Sequence, residues 1–149
     1  MPTSSSVINA CGVTIEIEDE NGVLVDISGS SNEVQPDFEQ KLGEYNVFGD
    51  RATYRIECKE DASLKLVALY STAMREARDL LKRWKMLRGQ RRIVVYVPNK
   101  ANYTDRFDGQ FLWEKLSIPL KADEAKPIMV QADLKPSGVV NWDTTSPTA

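Results

Sequence analysis

The chain has 149 residues, 28% charged and 42% hydrophobic, and its 19 basic and 22 acidic side chains leave a net charge of −3. This is the size and composition of one globular domain with its own core, and no apolar run reaches the roughly 20 residues of a membrane-spanning helix. The complete lack of histidine excludes His-dependent triads, general bases and metal sites.

Val13-Thr14-Ile15-Glu16-Ile17-Glu18 alternates apolar and polar residues, the period of a half-buried antiparallel strand. Asp19-Glu20-Asn21-Gly22 supplies an Asn-Gly turn, and Val23, Val25 and Ile27 resume the apolar face, which predicts a hairpin. From Gly29 to Asp50 the chain is rich in Ser, Asn, Gln and Glu, is punctuated by Pro36 and Gly43, and reads as a long loop. Compact domains seldom keep such loops without a use for them. This one holds Phe38, Leu42, Tyr45, Val47 and Phe48, too many large apolar groups for simple disorder. It is either an Ω-loop folded onto its own domain or an arm that buries those groups against another molecule. On the second reading residues 30–51 form an assembly loop anchored by Phe38, Leu42, Tyr45 and Phe48, since aromatics in a polar segment gain most from burial at an interface.

Thr53 to Lys59 alternates again, with Tyr54, Ile56 and Cys58 predicted to face inward, while Ser63 to Tyr70 is ambiguous between a strand and the entry to a helix. From Ser71 the period becomes helical. Met74, Ala77, Leu80, Leu81 and Trp84 share one stripe, and Arg75, Arg78, Asp79, Lys82 and Arg83 face away. Ser71 is the expected N-cap, Gly89 the C′ residue, and Lys82, Arg83, Lys85 and Arg88 suit the C-terminal dipole. Three further strands are predicted: Arg91 to Val97, Gln110 to Leu120 with Leu112, Leu116, Ile118 and Leu120 on the core face after an irregularity, and Pro127 to Leu134 with Ile128, Val130, Ala132 and Leu134 inward. After Gly138 a Thr/Ser/Pro-rich end reads as a frayed arm. An antiparallel β-sandwich or small barrel of six to eight strands, flanked by one α-helix, follows from this order.

Charge is unevenly placed. Residues 1–71 carry 5 basic and 13 acidic groups, residues 72–92 carry 8 and 2, and residues 93–149 carry 6 and 7. The basic segment is the solvated face of the helix, a patch complementary to an acidic neighbour, or a nucleic-acid surface. Cys11 and Cys58 are too few for a zinc site and too far apart for a CxxC motif; they read as small buried groups in a reducing compartment, with a disulfide as the alternative. No GxxxxGK[ST] or GxGxxG loop occurs. Met1-Pro2-Thr3-Ser4-Ser5-Ser6 lacks the features of a secretory signal, so the chain is expected to stay where it is made. No catalytic residue, metal or cofactor is assigned.

From Val13 to Trp142 the order of features resembles the tail tube (major tail) proteins of long-tailed phages. The resemblance rests on a hairpin ending in Val25-Asp26-Ile27-Ser28-Gly29, a long segment ending near Gly43-Glu44-Tyr45-Asn46-Val47-Phe48-Gly49, and a single helix ending at Leu80-Leu81-Lys82-Arg83-Trp84. Beyond them lie Ile93-Val94-Val95-Tyr96-Val97-Pro98-Asn99, Phe107-Asp108-Gly109, and a last strand running into Gly138-Val139-Val140-Asn141-Trp142. It implies one tail-tube-like domain over residues 1–149, with arms at 1–11 and 139–149. It also implies a non-enzymatic virion protein, made in the host cytoplasm, whose hexameric rings stack into a hollow tube. The implied partners are further copies of the chain, a tape-measure protein in the lumen, and tail terminator and distal tail proteins. DNA is implied only in transit and a membrane not at all.

Glu16, Glu18, Glu57 and Asp133 lie opposite apolar neighbours and are either the lining of an acidic lumen, where like charge keeps passing DNA from sticking, or acids that keep an outer sheet soluble. Two other classes compete. A nucleic-acid-binding β-module with a basic helix is disfavoured by those same outward acids, because such modules interleave aromatics with basic residues. A paired-carboxylate glycosidase is disfavoured by the small size of the chain.

Overall fold

The computed structural model describes residues 12–49, 51–122 and 127–144. Cys11, the side chain of Cys58, and the expected 1–11 arm lie outside the described residues.

Eight strands and one helix follow in the order β1 (Thr14–Glu18), β2 (Leu24–Asp26), β3 (Ser31–Asn46), β4 (Thr53–Leu69), α1 (Ala77–Leu87), β5 (Arg91–Val97), β6 (Asp105–Ser117), β7 (Met129–Pro136) and β8 (Asn141–Asp143). All pairings are antiparallel, in the order β2-β1-β5-β6-β7-β4-β3, with β8 added to β6. The long β6 joins two halves. Its residues 105–111 pair with β5 and its residues 111–117 with β7, with a register shift between Trp113 and Lys115. The first half is thus β2-β1-β5-β6-β8 and the second β6-β7-β4-β3. Their inner faces meet in one core of Ile15, Ile17, Ile93, Val95 and Phe111 from the first, and Leu64, Leu66, Val130, Ala132 and Leu134 from the second. The expected antiparallel sandwich or barrel with a flanking helix is thus realised as one sheet folded on itself about a single core.

The β1–β2 hairpin forms as expected, with Ile17 opposite Val25 and Gly22 at φ 81° in its turn. The largest departure concerns residues 30–51. Instead of a loop, residues 31–46 are strand β3, paired with β4 from Ser31↔Ala68 to Asn46↔Thr53. Period two was present in Val34, Pro36, Phe38 and Leu42. Pro36 and Gly43 concealed it, although Pro is tolerated in an edge strand, which β3 is. Ser63 to Leu69, left open between strand and helix, belongs to β4. Tyr54 and Ile56 are corrected from inward to exposed, because the part of β4 that carries them pairs only with β3. In β6 the core face is Phe107, Phe111, Trp113 and Leu116, because the irregularity after Trp113 reverses the alternation; Leu112, before it, is on the other face, and Ile118 and Leu120 are exposed past the end of the strand at Ser117. Part of the expected C-terminal arm is strand β8, with Phe107 opposite Trp142. Gly109 makes room for it, because a Cβ there would stand 3.1 Å from Val140 Cγ2.

Helix α1 buries Ala77, Leu80, Leu81 and Trp84, four of the five stripe residues. It starts at Ala77 rather than after Ser71, and Met74 is 73% exposed. Arg75 explains the late start. It takes φ 62°, a left-handed conformation that no helix continues through. From there its guanidinium meets Asp19 at 3.0 Å and its N–H donates to Asp79 at 3.0 Å. Ala77 N–H, an orphan donor of the first turn, is satisfied by Ser30 Oγ at 3.0 Å. Gly89, at φ 88°, follows the last turn as predicted, and Trp84 Nε1–H donates to its carbonyl at 2.7 Å.

An ionic network ties the start of α1 to the β1–β2 turn. Asp19 accepts N–H bonds from Asn21 and Val23 at 2.9 Å, and Arg83 reaches Glu20 at 2.8 Å and Asp79 at 3.3 Å. The Val23 N–H and Arg75 hold the Asp19 carboxyl below its ordinary 3.8. The Arg75 N–H and Arg83 do the same for Asp79, and the Glu20 backbone N–H and Arg83 for Glu20, ordinarily 4.5. These acids bind protons more readily in the unfolded chain. Their stabilisation is therefore present above the ordinary values and lost as pH falls through the lower native ones. Thermal melts across pH should fall steeply in acid for the wild type. Asp19→Asn should melt lower at neutral pH and show a shallower acid limb; identical acid limbs would show that the network does not contribute.

Candidate assembly surfaces

The β3–β4 hairpin outgrows the sandwich. β4 pairs with β7 only over Leu64–Leu69, so its residues 53–63 have β3 as their sole strand partner. The outer hairpin is a two-stranded ribbon. Its faces follow from register: Phe38, Gln40, Leu42 and Glu44 share one, and Tyr45 and Tyr54 lie on the other, their rings 5.4 Å apart. A register shift between Gln40 and Leu42 sets Leu42 opposite Glu57. Glu44 pairs with Arg55 at 3.4 Å on an exposed surface. At the tip Gly49 turns at φ 85°, and Phe48 is 106% exposed, flanked by exposed Val47.

The four anchor candidates do not lie together. Leu42, Tyr45 and Phe48 are exposed on the outer ribbon. Phe38 is half-buried at its root, 5.7 Å from the Trp142 ring and 6.0 Å from that of Phe107. Trp142 is itself held by a 2.7 Å bond to Asp105, and Arg106 pairs with Asp143 at 2.6 Å. Phe38 therefore belongs to the aromatic cluster that seats β8.

The four lumen candidates are likewise dispersed. Glu16 and Glu18 lie on the non-core face of the first half. The Glu16 side chain is 7% exposed and pairs with Lys100 at 3.1 Å, and burial together with that carboxylate pushes the nearby Tyr96 phenol up. Asp133 lies on the non-core face of the second half, directly between Lys65 of β4 and Lys115 of β6. Glu57 is on the ribbon. Non-core faces of the two halves of a sandwich point away from each other, so the four acids do not share one surface.

Sequence reasoning missed a second apolar feature. At the end of the sandwich remote from the hairpin tip, a groove of about 350 Å³ opens between α1 and the second half. Tyr70, Leu81, Leu116, Ile118 and Val130 form its apolar lining, and Arg78, Lys82 and Lys85 its basic rim. The Arg78 guanidinium lies 5.1 Å over the Tyr70 ring. Among the described residues Lys82 and Lys85 make no ion pair. The exposed Ile118, an apolar residue just past the end of β6, was the signal in the sequence. Among the described residues no group of three or more His, Cys, Asp or Glu could hold a metal ion.

No protein-family model matches the chain, and no curated protein is similar to it. Solved structures are similar in fold. The SPP1 tail tube superposes with a TM-score of 0.73 at 8% identity, over 95% of this chain and 82% of that one. A chain of the sixfold-symmetrised anti-feeding prophage baseplate gives 0.73 at 12% identity, over 97% and 98%. The C6-symmetric tail of an empty gene transfer agent particle gives 0.70 at 10% identity, over 93% and 100%. The chain has the fold of tail tube proteins.

Proposed function

With that fold as premise, we propose that the chain is the structural protomer of a phage-type tail tube. Six copies close into a ring, and rings stack into a hollow tube that encloses a tape-measure protein during assembly and later conducts DNA. The protein acts in the virion tail, with terminator and distal tail proteins at the tube's ends, and performs no catalysis.

The observation that carries this reading is the asymmetry of the open edges. In the first half the edge strands β2 and β8 are three residues each. In the second half the edges are β3, sixteen residues long, and the part of β6 beyond Phe111, which has β7 on one side only. Long unpaired edges recruit strands from other chains unless they are covered. Pairing β3 of one copy with β6 of the next covers both, and repeated around a ring it closes a barrel without edges. The non-core face of the second half then lines the channel. Of the four acids Asp133 faces the lumen, in the cross-strand row Gln35–Lys65–Asp133–Lys115. An acid between two lysines breaks up the array of cations that would hold phosphate by counterion release. The lumen wall on this reading is mixed in charge, in contrast to the acidic lining expected from alternation alone.

Negative-stain microscopy of concentrated protein tests the proposal. Rings and tubes of constant width are expected; a population of monomers at all concentrations would refute it.

A further inference from the structure

We propose that the residues preceding β1 turn into a cleft at the open end of their own sandwich, with Val7 and Ile8 entering between Val13, Val34, Val97 and Phe107. The contact lies within one protomer and does not depend on ring or tube. Helix α1 covers the core beside the β1–β2 turn. At the other end of β1 no helix does so. There a cleft of about 560 Å³ opens between Val13, Ile15, Val97 and Phe107 of the first half and Val34 and Pro36 of β3. Val13, Val34, Val97 and Phe107 pack against the core yet stay half-buried. Protein interiors keep few voids larger than a water molecule, so an apolar space of this size calls for an occupant.

The rim sets the chemistry of that occupant. Ser28 Oγ accepts the Ile15 N–H at 2.9 Å and donates to Asp26 at 2.6 Å, and Ser31 Oγ donates to the Ile27 carbonyl at 2.8 Å. Both hydroxyls are already engaged, and the other polar residues at the cleft, Asn32 and Glu33, are exposed. Water inside would find few partners, so the cleft suits an apolar, uncharged segment. The chain leads one to its mouth. Val13 lines the cleft, and a Cβ on Gly12 would stand 3.3 Å from the Pro98 carbonyl oxygen, so the chain enters β1 pressed against the end of β5. Residues 1–12 hold no charged side chain, and Val7 and Ile8 are their two branched apolar residues. Ile8 stands five residues before Val13, a reach of up to about 17 Å. Side chains that fill the cleft need no backbone group of β3, whose edge stays open.

The full-length double variant Val7→Asp/Ile8→Asp tests the contact, because a charge does not enter an apolar cleft without cost. It is expected to melt about 5 °C or more below the wild type and to bind an apolar fluorescent dye several-fold more strongly. Deletion of residues 2–10 should reproduce both changes. Melting and dye binding equal to the wild type would overturn the proposal. Methyl NMR of the wild type, at a concentration where sedimentation shows monomers, reads the contact directly. The Ile8 δ1 methyl, identified by its loss in Ile8→Val, should show nuclear Overhauser contacts to the Phe107 ring. An Ile8 methyl at its random-coil shift without those contacts would overturn the insertion. In a mixture of two differently labelled copies the contacts should stay within one copy; contacts only between copies would overturn it as well. None of these outcomes bears on the tube reading.

Discussion

Trp84→Ala is expected to lose about 3–5 kcal/mol of folding stability, the usual cost of truncating a fully buried tryptophan. The side chain is 1% exposed in the core cluster, so little of the cavity left behind can be filled by solvent or by relaxation of the surface. The change also removes the Nε1–H bond to the Gly89 carbonyl at 2.7 Å, which leaves that acceptor unpaired at the end of the helix. Total stability for a domain is about 5–15 kcal/mol, so the variant should melt on the order of 10 °C lower. Trp84→Phe separates the two contributions: it keeps most of the ring and should lose about 1 kcal/mol for the hydrogen bond plus a small packing deficit. Urea titrations of the three proteins measure both. A Trp84→Ala midpoint equal to that of the wild type would show that α1 is not docked by this residue.

The second large effect is on assembly rather than folding. Replacing residues 40–60 by Asn-Gly links Glu39 to Asp61, which already face each other in the register, through two residues. A two-residue Asn-Gly loop suits an antiparallel pair at that point. The excision takes away Leu42, Tyr45, Val47 and Phe48 and leaves the core cluster and the Phe38–Phe107–Trp142 contacts in place. The shortened chain is expected to fold with a melting temperature within a few degrees of the full chain, because a solvated ribbon buries little apolar area. It should sediment without forming tubes at concentrations where the full chain polymerises. Tubes from the shortened chain would show that the ribbon is not an assembly arm. An unfolded shortened chain would show that the ribbon is part of the fold.

This excision is a cleaner probe than substituting the four anchor candidates together. Phe38 resembles Leu42, Tyr45 and Phe48 in the sequence, as a large apolar group in a polar stretch. Its neighbours Phe107 and Trp142 lie far away along the chain, and only the register of β8 on β6 brings them to it. The same limit applied to the acids. Alternation correctly separated Glu16, Glu18 and Asp133 from the core side of their strands, but alternation is a local property and names no sheet face. That Glu16 sits beneath Lys100 and that Asp133 is bracketed by Lys65 and Lys115 are consequences of strand order.

By itself the sequence determined what depends on neighbours a few residues apart. The β1–β2 hairpin follows from alternation and an Asn-Gly turn. The α1 stripe of Ala77, Leu80, Leu81 and Trp84 follows from helical period, the strand β7 from apolar residues at period two, and β5 from the continuous apolar run Ile93 to Val97. Only the tertiary structure decided the rest. Residues 31–46 form a strand because β4 offers them a partner along their whole length, which outweighs the unfavourable local propensities of Pro36 and Gly43. Arg75 leaves the helical conformation because Asp19, 56 residues earlier, holds its guanidinium. The outer ribbon is exposed only because pairing with β7 ends at Leu64, so that one strand serves the core at one end and solvent at the other. Strand pairing is a contact between distant segments, and no local pattern states where such a contact stops.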